Sequence, residues 1–281
     1  MGTLSPNPYR LPEVETIRAG LTPRLLGRTV QTLEIRTPKL RWPIPANTLR
    51  TALIGQTIRA IFRRGKYLLW SVNSGHQLIH LGMSGQLLVQ NPTTPPERHD
   101  HAIWRLDDDS QLVLRDPRRF GALLWIEDDW HHHPLLSDLG PEPLESGFHA
   151  EHLAHWCRNR RVAIKNLLMN GKVVVGVGNI YAAEALFQAQ LHPTRPAASL
   201  TWADCQRLSA AVKEVLSAAI QQGGTTLRDY RQSDGKPGYF AVALHVYGRT
   251  GEPCVLCTTP IRSLRLGQRS AFFCPRCQPE G

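Results

Sequence analysis

Cys254-Val255-Leu256-Cys257 and Cys274-Pro275-Arg276-Cys277, with sixteen residues between the pairs, decide how the C-terminal part of this 281-residue chain folds. Two residues between thiolates let one tight turn aim both sulfurs at a single ion, and a second such pair closes a tetrahedral site. Four protein ligands leave no open position, so Cys254, Cys257, Cys274 and Cys277 predict one structural zinc ion (Zn2+), not a Lewis acid. The intervening segment carries Arg262, Arg265 and Arg269, and the hairpin is expected to present guanidinium groups to phosphate. The other two cysteines, Cys157 and Cys205, stand alone in helix-like sequence and read as small core residues.

Charge extends this reading along the chain. Lys and Arg number 33 against 23 Asp and Glu, a formal net charge of +10. Between Leu21 and Trp70 there are ten Lys or Arg and one acid, Glu34; from His245 onward there are five Arg and two Glu. Glu127 to Glu145 holds six acids and no Lys or Arg. Two basic segments separated by an acidic one predict two lobes gripping a polyanion, joined by a solvated connector. With 42% hydrophobic and 20% charged residues the chain reads as a soluble globular protein. No apolar run is long enough for a membrane span. The first fifteen residues read as no secretory signal, so a reducing cytoplasm is expected, where paired cysteines bind metal.

From about Thr29 to Trp125 the sequence reads as short strands without intervening helices, an antiparallel sandwich or barrel. Val30–Ile35, Lys66–Val72 and Gln77–Leu81 are of strand length. A helix begins after Pro12, with Val14, Ile17 and Leu21 at helical spacing. Asp138 to Leu144 reads as a linker. Glu151 to about Ala219 is helical, and the break at Asn170-Gly171 followed by Gly176-Val177-Gly178-Asn179 marks a helix–two-turn–helix unit. The expected fold is therefore α+β in two domains: an N-terminal antiparallel β-sandwich over residues 1–137, a linker over 138–144, a helix–two-turn–helix domain over 145–240, and the four-cysteine hairpin over 241–281.

Other motifs leave alternatives open. Asn179 follows two glycines at a helix start, where its side chain and nearby amides suit a phosphate or make an ordinary N-cap. Asp116-Pro117-Arg118-Arg119-Phe120-Gly121 places cations beside an aromatic ring, either a plain turn or a wedge for a base stack. Met83 sits on the glycine-rich tip Gly82-Met83-Ser84-Gly85. Lys66 follows Arg63 and Arg64, whose like charges favour a lowered amine pKa, with phosphate binding as the plainer role. His131-His132-His133 reads as solvated surface.

Taken together and in order, these motifs resemble the Fpg branch of the Fpg/Nei family of base-excision DNA glycosylases. The likeness runs from Leu11-Pro12-Glu13-Val14-Glu15-Thr16 through Gly65-Lys66-Tyr67-Leu68, His80 to Gly85, His99-Asp100-His101, Asp116 to Gly121 and Gly176 to Glu184. It continues through Ser233 to Phe240 and ends at Gln278. The resemblance implies a monomer that binds double-stranded DNA containing damaged bases, flips oxidised purines (8-oxoguanine, formamidopyrimidines), removes them and cleaves the abasic strand. It further implies that Met83, Arg118 and Phe120 fill the hole left by the extruded base, that Lys66, Asn179 and Arg269 hold phosphates, and that His99 and Arg160 are DNA contacts. Glu13 matches an acid that organises water, and the loop from Thr225 to Tyr239 would close over the lesion. Base extrusion fits the chemistry, because a stacked base cannot be attacked at its glycosidic bond.

One departure concerns the attacking amine. The family begins, after its initiator Met, with Pro-Glu, whose secondary amine attacks C1′; here Tyr9 and Arg10 precede Leu11-Pro12-Glu13. An amide nitrogen inside a chain is no nucleophile, and an arginine gives up no proton. Lys66 is a weak substitute amine, for abasic-site cleavage. The activity reading is a glycosylase and abasic-site lyase with Lys66, Glu13 and Arg269 in the catalytic group. The alternative is a protein that binds lesions or abasic sites without excising bases.

Overall fold

Val14, Ile17, Leu21 and Leu25 recur at three- and four-residue spacing and are all buried along α1 (Leu11–Leu25), which already includes Pro12. The computed structural model describes residues 11–222 and 244–280. The helix packs on a sandwich of two four-stranded antiparallel sheets. One is ordered β1 (Val30–Ile35), β6 (Asp100–Leu106), β7 (Gln111–Arg115), β5 (Gln86–Gln90). The other is ordered β2 (Ala60–Arg64), β3 (Tyr67–Val72), β4 (Gly75–His80), β8 (Ala122–Ile126). Period-two alternation sorts the strands: Leu68, Trp70 and Ile79 enter the core between the sheets, whereas Leu69 and Leu78 point to the outer face.

That outer face is where the acidic connector lies. Leu136 is buried against Leu69, Leu78 and Ile126, and Trp130, Leu135 and Leu139 pack around it. The connector is therefore not simply solvated, as its charge suggested. His131 and His132, in contrast, are exposed and pair with Asp129. One helix inside the strand region, α2 (Ala46–Leu53), goes unannounced by the sequence because only Leu49 and Leu53 are buried along it.

The second domain consists of α3 (Ala150–Cys157), α4 (Ile164–Leu168), α5 (Asn179–Gln188) and α6 (Trp202–Gln221). α5 is buried along nearly its whole length, which makes it the axis of this domain. α6 starts in a capping box, with Asp204 N donating to Thr201 Oγ1 at 3.2 Å and Thr201 N donating to Asp204 Oδ2 at 2.9 Å. Cys157 and Cys205 are buried in the shared core, as expected for small apolar side chains. The C-terminal hairpin, β9 (Arg262–Leu266) and β10 (Arg269–Phe273), is fastened to α5: Glu184 accepts the backbone N–H groups of His245, Val246 and Tyr247 at 2.8, 3.1 and 2.9 Å. Gln278 clamps the other end, accepting from Cys274 N and donating to the Leu191 carbonyl. Among the described residues no helix is long and apolar enough to cross a membrane.

Candidate active site

Three segments meet where the two domains touch. Leu11 N donates to the Gly176 carbonyl at 3.4 Å, and Gly176 has φ +77 with no room for a side chain, since a Cβ there would lie 2.4 Å from Leu11 Cβ. Glu13 is buried, and its Oε1 accepts from Tyr181 Oη of α5 at 3.0 Å. Gly65, in the β2–β3 turn, approaches the same loop, its Cβ position 3.4 Å from Val175 Cβ and 3.6 Å from Leu139 Cδ1. Lys66 follows it in that turn. The seam thus gathers Glu13, Lys66 and the turn leading into Asn179 from three distant parts of the chain.

The charges flanking Lys66 differ from the sequence expectation. Arg63 donates to Glu142 Oε2 at 2.7 Å and to Glu15 Oε2 at 3.0 Å. Arg64 donates to Glu142 Oε1 at 3.3 Å and to the carbonyls of Leu139 and Gly140 at 2.6 and 2.7 Å. Gly65 N completes the set with a 2.6 Å bond to Glu142 Oε1. Two like charges that were expected to depress the Lys66 amine are neutralised by carboxylates, so that argument for a nucleophilic Lys66 fails. The arginines in turn account for the low pKa of Glu15: burial opposes ionisation, but hydrogen bonds and Coulomb attraction from Arg18 and Arg63 outweigh it and hold the group below its ordinary value.

On the other side of the seam, two side chains converge on one backbone oxygen. The Asn179 Nδ2 and the Lys165 Nζ both donate to the Ser270 carbonyl, at 3.1 and 2.7 Å. Lys165 is almost completely buried, and sequence reasoning missed it; the one signal was a lysine beside Ile164, Leu167 and Leu168 on a short apolar helix. Asn179 is the first residue of α5 and Gly178 is the cap, so the ordinary N-cap reading is corrected. Its Oδ1 is buried with no partner among the described residues. Ser270 adjoins Arg269, which is exposed. Strand register separates the arginines of the hairpin. Arg269 and Arg262 lie on one face with Ala271 and Phe273, and Arg265 lies on the other. The expectation of three guanidinium groups presented together is therefore corrected to two on the Arg269 face.

The tips carrying Met83 and Phe120 adjoin each other at the end of the sandwich. Arg118 lies 5.1 Å over the Phe120 ring, and Phe120 is exposed at 42%. Beneath them the buried His80 accepts from Gly82 N at Nδ1 (3.1 Å) and hydrogen-bonds the Phe120 backbone. Burial, and then the charges of Lys66 and Arg41, lower its pKa from 6.5 to about 4. The folded state thus favours neutral His80, while the unfolded chain takes up its proton near the ordinary value. Stability from this group is complete above 6.5 and is lost as pH falls toward 4. Urea unfolding should show about 2 kcal/mol less stability from this source at about pH 5 than at about pH 7. His80→Gln should flatten that slope; an unchanged slope contradicts the assignment.

His99 is half-buried on the β5–β6 loop, its carbonyl accepting from Asp116 N at 3.0 Å, so it adjoins the same tips. Arg160 is exposed between α3 and α4, 4.6 Å over the Trp156 ring, and no described contact joins it to the seam. Tyr9, Arg10 and the segment from Thr225 to Tyr239 lie outside the described residues.

The four cysteines of the hairpin place their sulfurs within 4.8 Å of one another. Cys257 Sγ lies 3.4 Å from Cys274 Sγ and 3.5 Å from Cys277 Sγ, and Cys254 Sγ lies 3.9 Å from Cys277 Sγ. Zinc–sulfur bonds of about 2.3 Å in a tetrahedron require sulfur–sulfur edges of about 3.8 Å, so the cage fits zinc. Leu256 N and Cys277 N each donate to the first sulfur of their own pair at 3.4 Å, which favours thiolates.

Sandwich, helix–two-turn–helix pair and four-thiolate hairpin, in this order, define an H2TH-class zinc-hairpin protein. The family models named Formamidopyrimidine-DNA glycosylase N-terminal domain, Formamidopyrimidine-DNA glycosylase H2TH domain and Zinc finger found in FPG and IleRS match residues 10–123, 139–231 and 251–279. The formamidopyrimidine-DNA glycosylase of Thioalkalivibrio sulfidiphilus is 53% identical over 268 residues, which cover 95% of this chain and 98% of the relative. The Fpg crystal structure from Thermus thermophilus is 40% identical with a TM-score of 0.84, covering 97% of this chain and 99% of its own. A Lactococcus lactis Fpg complex with abasic-site DNA is 32% identical with a TM-score of 0.88, covering 96% and 100%. The chain belongs to the formamidopyrimidine-DNA glycosylase family.

Proposed function

We infer that this protein is a base-excision DNA glycosylase with abasic-site lyase activity, acting on double-stranded DNA that contains an oxidised purine. The observation that carries the reading is the convergence of Glu13, the Lys66 turn and the Asn179 turn at one seam, flanked by an Arg269 hairpin and by two exposed tips. A duplex carries one phosphate charge per about 1.7 Å of axis, and cations spread over both domains suit it. Lys66, Asn179 and Arg269 hold phosphates on either side of the lesion. Met83, Arg118 and Phe120 occupy the space vacated by the flipped base, and Phe120 offers the exposed apolar face that such a wedge needs. His99 and Arg160 add further DNA contacts. Glu13, buried but bonded to the Tyr181 hydroxyl, orders water near the sugar.

Excision coupled to strand cleavage requires an amine that attacks C1′ and expels the base; breaking the C1′–O4′ bond then opens the sugar to an imine, from which the strand is cut by elimination. Of the two lysines at the described seam, Lys165 is almost completely buried and donates to the Ser270 carbonyl, which leaves Lys66 as the candidate amine; with its flanking arginines neutralised it serves first as a phosphate cation. Residues 1–137 form the sandwich domain, 138–144 the connector, 145–240 the helical domain with its lesion-capping loop, and 241–281 the zinc hairpin. The chain acts as a monomer, in the cytoplasm of a bacterial-type cell and on nucleoid DNA.

The test is single-turnover incubation with a duplex holding one 8-oxoguanine opposite cytosine. Free 8-oxoguanine and a cut strand are expected, with an undamaged duplex left whole. Tight binding of the damaged duplex with no base release supports the lesion-binding alternative instead. In the same duplex, Arg269→Ala should reduce the slope of log affinity against log salt by about one, as for one lost phosphate contact. An unchanged slope removes Arg269 from the DNA interface.

A further inference from the structure

Asp116 is completely buried, and its two oxygens serve different loops. Oδ1 accepts from Ser84 Oγ at 2.7 Å, one residue after Met83, and from Arg118 N at 3.3 Å. Oδ2 accepts from Gly121 N at 2.8 Å, one residue after Phe120. The Arg118 N–H is shared, because it also donates to Ser84 Oγ at 3.3 Å and so links the two loops directly. The backbone of Asp116 is fixed in turn by His101 Nε2, which donates to its carbonyl at 2.9 Å.

The two loops also touch directly. A Cβ on Gly82 would lie 2.4 Å from the Phe120 carbonyl carbon and 2.6 Å from Gly121 N, so only a glycine fits at that crossing. Within the second loop Arg119 holds φ +55, a conformation that a non-glycine residue keeps only when its surroundings impose it. A charge-bearing acceptor that ties three donors from two loops is a stiff joint, since hydrogen bonds to ionised groups are shorter and stronger than neutral ones.

We propose that Asp116 is a positioning residue which, through Ser84, joins the Met83 loop and the Arg118–Phe120 loop into one rigid wedge that enters the base stack as a unit. The proposal rests on the DNA-repair reading above. Its consequence is that neither tip opens the stack alone, and that cutting the joint on either side disables both.

The two arms can be cut separately. Ser84→Ala removes the hydroxyl that reaches Oδ1, and Ser84→Thr keeps one. Asp116→Asn leaves an acceptor for Ser84 but can turn its amide donor toward Gly121 N–H. The readout is stopped-flow fluorescence of 2-aminopurine placed beside an abasic site in a duplex, which brightens as the base unstacks. Ser84→Ala and Asp116→Asn should each slow unstacking by about tenfold or more, as expected when a contact is misplaced by about an ångström. Ser84→Thr should restore the rate. Equilibrium affinity for the duplex, carried by the phosphate contacts, should change by less than about threefold. Adding Met83→Ala to Ser84→Ala should slow the reaction no further, because residues that act as one unit do not add.

Full multiplication of the two effects, or parental unstacking in Ser84→Ala, overturns the coupling. Should Asp116→Asn fail to fold, the Ser84 series alone decides. The fluorescence needs no base excision. A parent chain that unstacks the duplex but releases no 8-oxoguanine contradicts the proposed activity and leaves the coupling intact, whereas normal excision with unaltered unstacking in both variants contradicts the coupling.

Discussion

Cys274→Ser should empty the zinc site and abolish binding of a damaged duplex. The Cys274 side chain is fully buried, its sulfur lies 3.4 Å from that of Cys257, and it accepts the Cys277 N–H. The hairpin around it has only a small apolar cluster, Val246 and Ile261 with Ala183 and Phe187 of α5. A two-stranded ribbon with so little core is marginal in water, and a structural zinc of this kind contributes about 10–16 kcal/mol to its own folding unit. The two larger cores are built from buried residues outside the hairpin, with Leu244 and Tyr247 packed against the second, and should persist. Metal analysis should therefore fall from about one zinc per chain to about none, with most helix and strand signal retained. Affinity should drop at least about a hundredfold as Arg262 and Arg269 lose their placement. A Cys274→Ser protein that keeps both zinc and parental affinity contradicts the assignment.

Glu142→Ala is the second large effect, and it acts at the connector. The Glu142 side chain, 7% exposed, faces Arg63 and Arg64 at 11% and 17%. Removing the carboxylate leaves two largely buried guanidinium groups and the Gly65 N–H without it. Loss of one partner from such a buried set costs about 3–5 kcal/mol, far more than an exposed ion pair contributes. The damage should extend to function, because Arg64, which Glu142 holds, ties the Lys66 turn to the Leu139–Gly140 backbone, and Gly140 N bonds the Gly171 carbonyl of the second domain. Glu142→Gln, which retains an acceptor for Gly65 N–H, should cost less. Urea unfolding measures both, and a loss under about 1 kcal/mol for Glu142→Ala contradicts the joint described here.

These two sites show where sequence was a sufficient guide and where it was not. The cysteine pairs carry their geometry in their spacing, since a two-residue gap can do little else than aim both sulfurs one way, and the cage follows. Val30–Ile35 is likewise readable, because its strand bounds rest on local residue types and turn punctuation. Glu142 was unreadable for the opposite reason. Its partners lie 78 and 79 residues away, so a carboxylate in an acidic, proline-flanked stretch looked like solvated connector. The same long-range pairing reversed the argument about Lys66, whose arginine neighbours crowd it in the sequence and turn to carboxylates in the fold. Lys165 and Asp116 were overlooked because burial, not residue type, is what marks them. Arg265 was misplaced by one step of strand alternation, which a count of charges cannot see.

The central claim is that this chain makes and breaks a bond at C1′ of a damaged nucleotide. Borohydride trapping tests it most directly, with the intact chain incubated on a duplex containing one 8-oxoguanine opposite cytosine beside an abasic-site duplex. A covalent protein–DNA adduct and a cut strand are expected on both duplexes, and peptide mapping of the adduct then names the attacking amine, Lys66 or one in the segment before Leu11. Tight binding to both duplexes with neither adduct nor incision would contradict the account and leave a protein that finds lesions without removing them.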